Sequence, residues 1–263
     1  MPVHMMQATA RSSTPSKDIQ TVQGTEDAES VPSTAELGSS GDSSESDSSD
    51  EEDDQLSPAF ATEDTILIFD WDDTVLPSTW IQEQGLRLDD DCIPTDGQLS
   101  QLNTMAQFAM TTLQVAKRHG KVVLVTNAER GWIELSCQKF MPLLYPLLEN
   151  VKILSARSTY EQQGIASPFE WKYLAFESEI TEFYNLLASD HRKKNVISFG
   201  DSAHEREALI RVTERMPNCC TKSLKFVERP ELDQLLKEHE LISGCFRHIV
   251  NYDGNLDLCI RCS

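Results

Sequence analysis

The stretch that decides the fold reads Thr65-Ile66-Leu67-Ile68-Phe69-Asp70-Trp71-Asp72-Asp73-Thr74-Val75-Leu76. Its unbroken apolar run, with no polar alternation, predicts a strand buried on both faces, as in a parallel sheet covered by helices. Residues two apart on an extended backbone point to the same side, about 6–7 Å apart, so Asp70 and Asp72 should project together from the carboxyl edge of the strand. Open α/β sheets bind their ligands at that edge. Like charges this close are costly unless a cation lies between them or one keeps its proton, so we interpret the stretch as a functional site rather than an acidic surface turn.

Later apolar runs predict more strands of the same sheet, separated by helical patterns. The further strands are predicted at 122–125, 151–154, 195–199 and 224–227. The clearest helix places Leu102, Met105, Ala106, Ala109, Leu113 and Ala116 on one face, with Gly120 as its end cap. Other helical segments are predicted through 131–135, 171–187, 208–210 and 231–242. This alternation predicts a doubly wound, Rossmann-like α/β domain with a parallel sheet over residues 59–245, followed by an extension at 246–263 with no assigned structure.

Residues 1–58, the acidic tail, contain few large apolar side chains. They hold 13 Asp and Glu against 2 Lys and Arg, which is a formal charge of −11 out of −20 for the whole chain. Such a segment cannot bury enough apolar surface to offset its ordering entropy, so we predict that it is disordered. Ser48 and Ser49 each have an acidic residue three positions on. The tail is therefore a candidate kinase substrate or a solubilising segment, and these two interpretations are compatible.

The charge and the absence of long apolar runs argue against several classes of partner. A formal charge of −20 disfavours nucleic acid and anionic membranes. No apolar run approaches the roughly 20 residues that a membrane span needs, and the polar N-terminus lacks the apolar core of a secretory signal. Seven cysteines without an export signal predict reduced thiols. We expect a cytoplasmic or nuclear protein.

The cysteines near the C-terminus raise the question of a structural metal. Cys259 and Cys262 have the spacing of a metal-ligand pair, and Cys245 and the adjacent Cys219 and Cys220 lie upstream. A four-ligand zinc site needs a second pair at a defined spacing, which adjacent cysteines do not supply. Ordinary thiols are the simpler interpretation, and zinc remains the alternative.

Polar residues follow three of the predicted strands, and parallel strands bring such ends to one edge of the sheet. The pattern resembles the haloacid dehalogenase-like superfamily of phosphohydrolases over about residues 63–228. Its four motifs are matched in order by Asp70-Trp71-Asp72-Asp73-Thr74, by Thr126, by Lys172, and by Gly200-Asp201 with Glu205. The first and fourth motifs are the specific ones. Lys193 and Lys194 are rivals of Lys172 for the third motif, and Glu205 stands where the family often has Asp.

The resemblance implies a phosphatase that hydrolyses phosphate monoesters through an aspartyl-phosphate on Asp70. Asp72 would protonate the leaving oxygen and then deprotonate the attacking water. Mg²⁺, a hard ion that prefers oxygen ligands, would be held by Asp70, the Asp72 carbonyl and Asp201.

Three further residues have implied roles around this centre. Lys172 would neutralise the nucleophile and the phosphoryl oxygens, and the Thr126 hydroxyl would hold the transferring group. Glu205 would support the metal site without binding the ion directly.

Members of this superfamily often carry a cap domain after the first motif or between the second and third. The intervals 74–126 and 126–172 have no room for one, so the resemblance implies an open site that suits bulky substrates such as phosphoproteins. Two alternatives remain: a non-catalytic protein that binds phosphorylated partners, and a phosphotransferase whose acceptor is not water. The presence of Asp70, Asp72, Lys172 and Asp201 together favours catalysis.

Overall fold

The computed structural model describes residues 59–186 and 192–260. The predicted disorder of the acidic tail and its predicted kinase sites lie outside these residues. Within the described residues, no helix has both the length and the apolar character needed to cross a membrane.

Strands and helices alternate along the described chain. The strands are β1 (Thr65–Phe69), β2 (Lys121–Thr126), β3 (Lys152–Ser155), β4 (Lys194–Gly200), β5 (Cys219–Lys225) and β6 (Leu256–Cys259). The helices are α1 (Ser78–Glu83), α2 (Asp96–His119), α3 (Trp132–Phe140), α4 (Tyr145–Leu148), α5 (Ala156–Tyr160), α6 (Pro168–Asn185), α7 (Ala203–Thr213) and α8 (Leu232–Asn251). Short 3₁₀ turns lie at Thr62–Asp64 and Glu161–Gln163.

The six strands form one sheet in the order β3-β2-β1-β4-β5-β6. Every neighbouring pair is parallel. The predicted parallel α/β sheet is therefore confirmed, and its strand order is that of Rossmann-type doubly wound sheets. The order reverses between β1 and β4, which makes the carboxyl ends of these two strands the switch point where such sheets bind ligands.

Helices cover both faces of the sheet. The side chains of β1 therefore alternate between two apolar clusters, one on each face. Leu67 and Phe69 pack in one cluster with residues of α2 and α8. Ile66 and Ile68 pack in the other with residues of α6 and α7. All four side chains are fully buried. This burial on both sides explains why the strand carries no polar alternation.

The connection at 77–95 contains α1, which the sequence did not indicate. Its Trp80 and Ile81 are buried in the cluster that also holds Leu67. Helix α1 thus packs on the core of the domain.

The C-terminal part of the sheet differs from the prediction. The fifth strand was expected at 224–227 and instead begins at Cys219. The first half of β5 contains polar residues, so it lacks the apolar pattern expected of a buried strand. One of them, Lys222, is nevertheless fully buried, and its ammonium donates to the Val250 carbonyl at 2.7 Å. The predicted boundary between residues 245 and 246 falls inside α8, and β6 pairs with β5 beyond it.

Gly120 ends α2 as predicted, but a left-handed cap is not the reason for glycine there. Its φ of 175° is ordinary extended backbone, and its N–H donates to the Ala116 carbonyl. A Cβ at this position would lie 2.4 Å from the Thr65 carbonyl oxygen. Glycine is needed because the chain passes this close to β1.

Candidate functional site

The pairing of β1 with β4 brings two sequence-distant carboxylates together. Phe69 is opposite Phe199 in the register, and their rings stack with centroids 4.2 Å apart. The Asp70 N–H extends the ladder by donating to the Phe199 carbonyl at 2.9 Å. Asp70 therefore lies at the switch point beside Asp201, which directly follows β4.

Lys172 of α6 reaches the same place from the helical layer. Its side chain is 1% exposed, and its ammonium contacts Asp70 Oδ1 at 2.6 Å, the Val125 carbonyl at 2.8 Å and Glu205 Oε1 at 3.0 Å. An ammonium has three protons, so each one has an acceptor. The rival Lys193 instead pairs with Asp253, and Lys194 donates to the Pro217 carbonyl. Lys172 is thus the lysine that the fold places at Asp70.

Lys172 and Glu205 each stabilise the charged form of the other in the interior. Burial alone would lower the pKa of Lys172, but the carboxylates of Asp70 and Glu205 raise it above its ordinary value. Burial alone would raise the pKa of Glu205, but Lys172 and the Ser202 hydrogen bond bring it below its ordinary value. Both groups are therefore held in their charged forms.

The start of α7 positions Glu205. Ser202 and Glu205 form a capping box, in which Glu205 Oε2 accepts hydrogen bonds from the Ser202 N–H at 3.1 Å and from the Ser202 hydroxyl. The Glu205 side chain lies directly over Gly200, where a Cβ would be 2.5 Å from its Cγ. Glycine is needed at position 200 for this close packing. His204, which precedes Glu205, is exposed.

Three carboxylates at the switch point form a candidate metal centre. One oxygen each from Asp70, Asp201 and Glu205 lie within 4.8 Å of one another. Burial raises the pKa of Asp70 to about 7, although Lys172 opposes this shift, and burial raises the pKa of Asp201 to about 8; the neighbouring carboxylates add to both shifts. Such a group is unfavourable without a cation, and carboxylate oxygens suit hard divalent ions such as Mg²⁺. The donor set therefore fits a metal ion.

The geometry adds one candidate ligand to the set expected from the sequence. The Glu205 carboxylate, expected to act only indirectly, lies close enough to those of Asp70 and Asp201 to share an ion with them, and the Asp72 carbonyl as a ligand stays a prediction. Among the described residues this is the one group of at least three His, Cys, Asp or Glu side chains with that proximity. The cysteines in the described ranges are free, and Cys262 lies outside them.

Asp72 is held on the β2 side of the site. Its Oδ1 accepts a hydrogen bond from the Trp132 indole at 2.9 Å, and its Oδ2 accepts one from the Thr126 hydroxyl at 3.2 Å. Burial raises the pKa of Asp72, and these two hydrogen bonds only partly offset that rise. A raised pKa lets a carboxyl keep its proton at higher pH, as a general acid must.

Trp132 is the contact that the sequence prediction missed. It occupies the first turn of α3, which follows β2, and its ring edge lies at Asp72. The only sequence feature that could have indicated this contact was an aromatic residue at the start of a helix, and such a residue usually packs in the core.

No family model, curated protein sequence or solved structure matches this chain. The fold and the site define its class at a coarser level. It is a parallel α/β protein whose switch point carries a lysine-bound aspartate within a group of carboxylates suited to a divalent cation.

Proposed function

We propose that this protein is a Mg²⁺-dependent phosphohydrolase of the haloacid dehalogenase-like type, which cleaves phosphate monoesters through an aspartyl-phosphate on Asp70. The observation that carries the proposal is the 2.6 Å contact between Lys172 and Asp70, beside Asp201 and Glu205. A carboxylate nucleophile divides a very difficult hydrolysis into two easier steps. A lysine that contacts it directly offsets the charge of an approaching phosphate.

The surplus of carboxylates requires further positive charge before phosphate can bind. Asp70, Asp201 and Glu205 would hold Mg²⁺, with the Asp72 carbonyl as the other predicted ligand. When bound, the ion would supply charge that stabilises the phosphoryl oxygens.

In the first step, an Asp70 carboxylate oxygen attacks the phosphorus and the bond from phosphorus to the ester oxygen breaks. The proton of the Asp72 carboxyl moves to the departing oxygen. The products are the alcohol and the aspartyl-phosphate, and Asp72 is left ionised.

In the second step, water attacks the phosphorus while Asp72 takes its proton. The bond from phosphorus to Asp70 breaks, which releases inorganic phosphate and restores both aspartates. Thr126 and Trp132 keep the Asp72 carboxyl in place throughout. This assigns Thr126 a positioning role, because its single hydroxyl proton is donated to Asp72 and is not free for a phosphoryl oxygen.

Substrate size and location belong to the same proposal. Asp72 and Asp201 are partly exposed, although Asp70, Lys172 and Glu205 are buried. Because the site is open on this side, the proposed substrates are phosphorylated groups on bulky molecules such as proteins. The proposed location of the protein is the cytoplasm or nucleus.

The test is Mg²⁺-dependent phosphate release from p-nitrophenyl phosphate by the full chain. Asp70→Asn keeps the shape of the side chain and removes the nucleophile, so we expect a loss of at least about a thousandfold in kcat. Asp233→Asn, at an exposed position in the first turn of α8, is the matched control and should retain wild-type turnover.

The other outcomes separate the alternatives. Activity that survives Asp70→Asn excludes Asp70 as the nucleophile. Phosphopeptide binding without turnover by the wild type identifies a binding protein. Release of the alcohol without an equal amount of phosphate identifies transfer to another acceptor.

A further inference from the structure

A cavity of about 290 Å³ lies between α1 and α3. The residues that line it include the aromatic Trp132 and Phe140, the apolar Leu88, and the polar Gln82 and Arg87. Small-molecule pockets usually enclose about 300–1,000 Å³, so this one suits a group of about one ring. The mixture of aromatic walls and a few polar groups is typical of a binding pocket.

The cavity and Asp72 are both in contact with the same side chain, that of Trp132. The Trp132 ring lines it while the indole N–H of the same ring donates to Asp72 Oδ1 at 2.9 Å. On the other wall, Thr79 donates to the Asp73 carboxylate through its N–H at 2.7 Å and its hydroxyl at 2.5 Å. The residues that hold two neighbouring aspartates thus also form the walls of this space.

We propose that the cavity binds the leaving group of the substrate, and that this leaving group is a phenol-like ring. The inference rests on the proposed function, in which the departing oxygen takes its proton from Asp72 and must therefore lie beside it. The remainder of the leaving group extends from that oxygen toward Trp132. Aromatic walls favour a flat apolar ring over a flexible polar chain, because rings pack closely in stacked or edge-to-face arrangements.

The test measures binding and does not depend on turnover. Phenylphosphonate and methylphosphonate resist hydrolysis because carbon replaces the ester oxygen, and they differ only in the group that would enter the cavity. With Mg²⁺ and the full chain, titration calorimetry should show that phenylphosphonate binds about tenfold more tightly, which corresponds to about 1.4 kcal/mol.

Two variants fill the cavity from different walls. Leu88→Trp and Gln82→Trp change side chains that are partly buried and exposed, respectively, so the core stays intact. Each should abolish the tenfold preference for the phenyl group. Leu241→Trp, at an exposed position of α8 outside the cavity, should keep it. Melting temperatures close to that of the wild type establish that the variants are folded.

The results distinguish this inference from the function on which it rests. Equal binding of the two phosphonates by the wild type, or no binding of either, overturns the leaving-group assignment. So does a preference that persists in both tryptophan variants. Hydrolysis of acetyl phosphate, which has no ring, tests the phosphohydrolase proposal separately through its dependence on Asp70.

Discussion

Asp73 shows how differently the fold uses three neighbouring acids. Asp70 binds Lys172 and Asp72 binds Trp132, whereas the buried Asp73 carboxylate accepts hydrogen bonds from the start of α1. Its donors are the Ser78 hydroxyl at 3.0 Å and the N–H and hydroxyl of Thr79. Its φ of 51° lies in the left-handed region, which Asp tolerates better than most residues. Asp73 therefore fixes the turn that follows Asp72.

Removal of the Asp73 carboxylate should destabilise the protein. Asp73→Ala leaves three donors without their acceptor and places alanine at a positive φ, so we expect a loss of about 1–3 kcal/mol in the free energy of unfolding. Urea denaturation monitored by circular dichroism measures this, with exposed Asp233→Ala as the control. An unchanged unfolding midpoint would show that the turn does not depend on Asp73.

At the scale of elements, α8 is connected to both α2 and the turn after β1 through one buried histidine. His239 is fully buried, and its Nε2 lies 2.8 Å from the Thr74 carbonyl while its Nδ1 lies 2.9 Å from the Thr112 hydroxyl. A carbonyl can only accept, so Nε2 carries the proton and Nδ1 accepts from Thr112. Burial lowers the pKa of His239 from 6.5 to about 4, although the hydrogen bond to Thr74 opposes the shift.

This histidine should give the domain a defined pH dependence. Between pH 6.5 and about 4 the unfolded chain takes up a proton that folded His239 does not, so its contribution to stability is present above pH 6.5 and declines toward pH 4. The stability difference between wild type and His239→Gln should therefore shrink by about 2–4 kcal/mol across this window. Urea denaturation at several pH values checks this, with exposed His204→Gln as the matched control. Parallel curves for wild type and His239→Gln would contradict the assignment.

At the scale of the whole molecule, the strand order concentrates negative charge at one point. Asp70 and Asp201 follow strands that are far apart in sequence and adjacent in the sheet, and Glu205 joins them from α7. Lys172 is the cation that contacts two of these three carboxylates. The stability of the folded chain should therefore depend on a divalent cation.

Calorimetry with and without Mg²⁺ tests this dependence. In chelator, Asp201→Asn should melt above the wild type, because it removes a carboxyl whose ionised form is disfavoured by burial and by the neighbouring Asp70 and Glu205. At 100 times the dissociation constant, Mg²⁺ should stabilise the wild type by about 2.7 kcal/mol and stabilise Asp201→Asn much less, which reverses the order. The same order in both conditions would exclude Asp201 as a ligand.

Local chemistry made much of this arrangement predictable. The run at Ile66–Phe69 is apolar because both sides of its strand are covered, and this predicted the parallel sheet that the structure confirms. Strand ends in such a sheet meet at one edge, so the proximity of Asp70 and Asp201 could be expected. The catalytic roles derived from the family resemblance stay predictions.

Other features depend on contacts between residues far apart in sequence, and only the tertiary structure decided them. Polar β5 is a strand because β4 and β6 flank it and because Val250 accepts the buried Lys222 ammonium. Trp132 contacts Asp72 because α3 begins shortly after β2, the strand that pairs with β1. Glu205 enters the carboxylate group because Gly200 leaves space beneath it. The sequence by itself determined that the Ile66–Phe69 segment is buried and that polar residues follow β1, β2 and β4. The packing of those segments decided which side chains meet, because such contacts depend on three-dimensional distance rather than on local pattern.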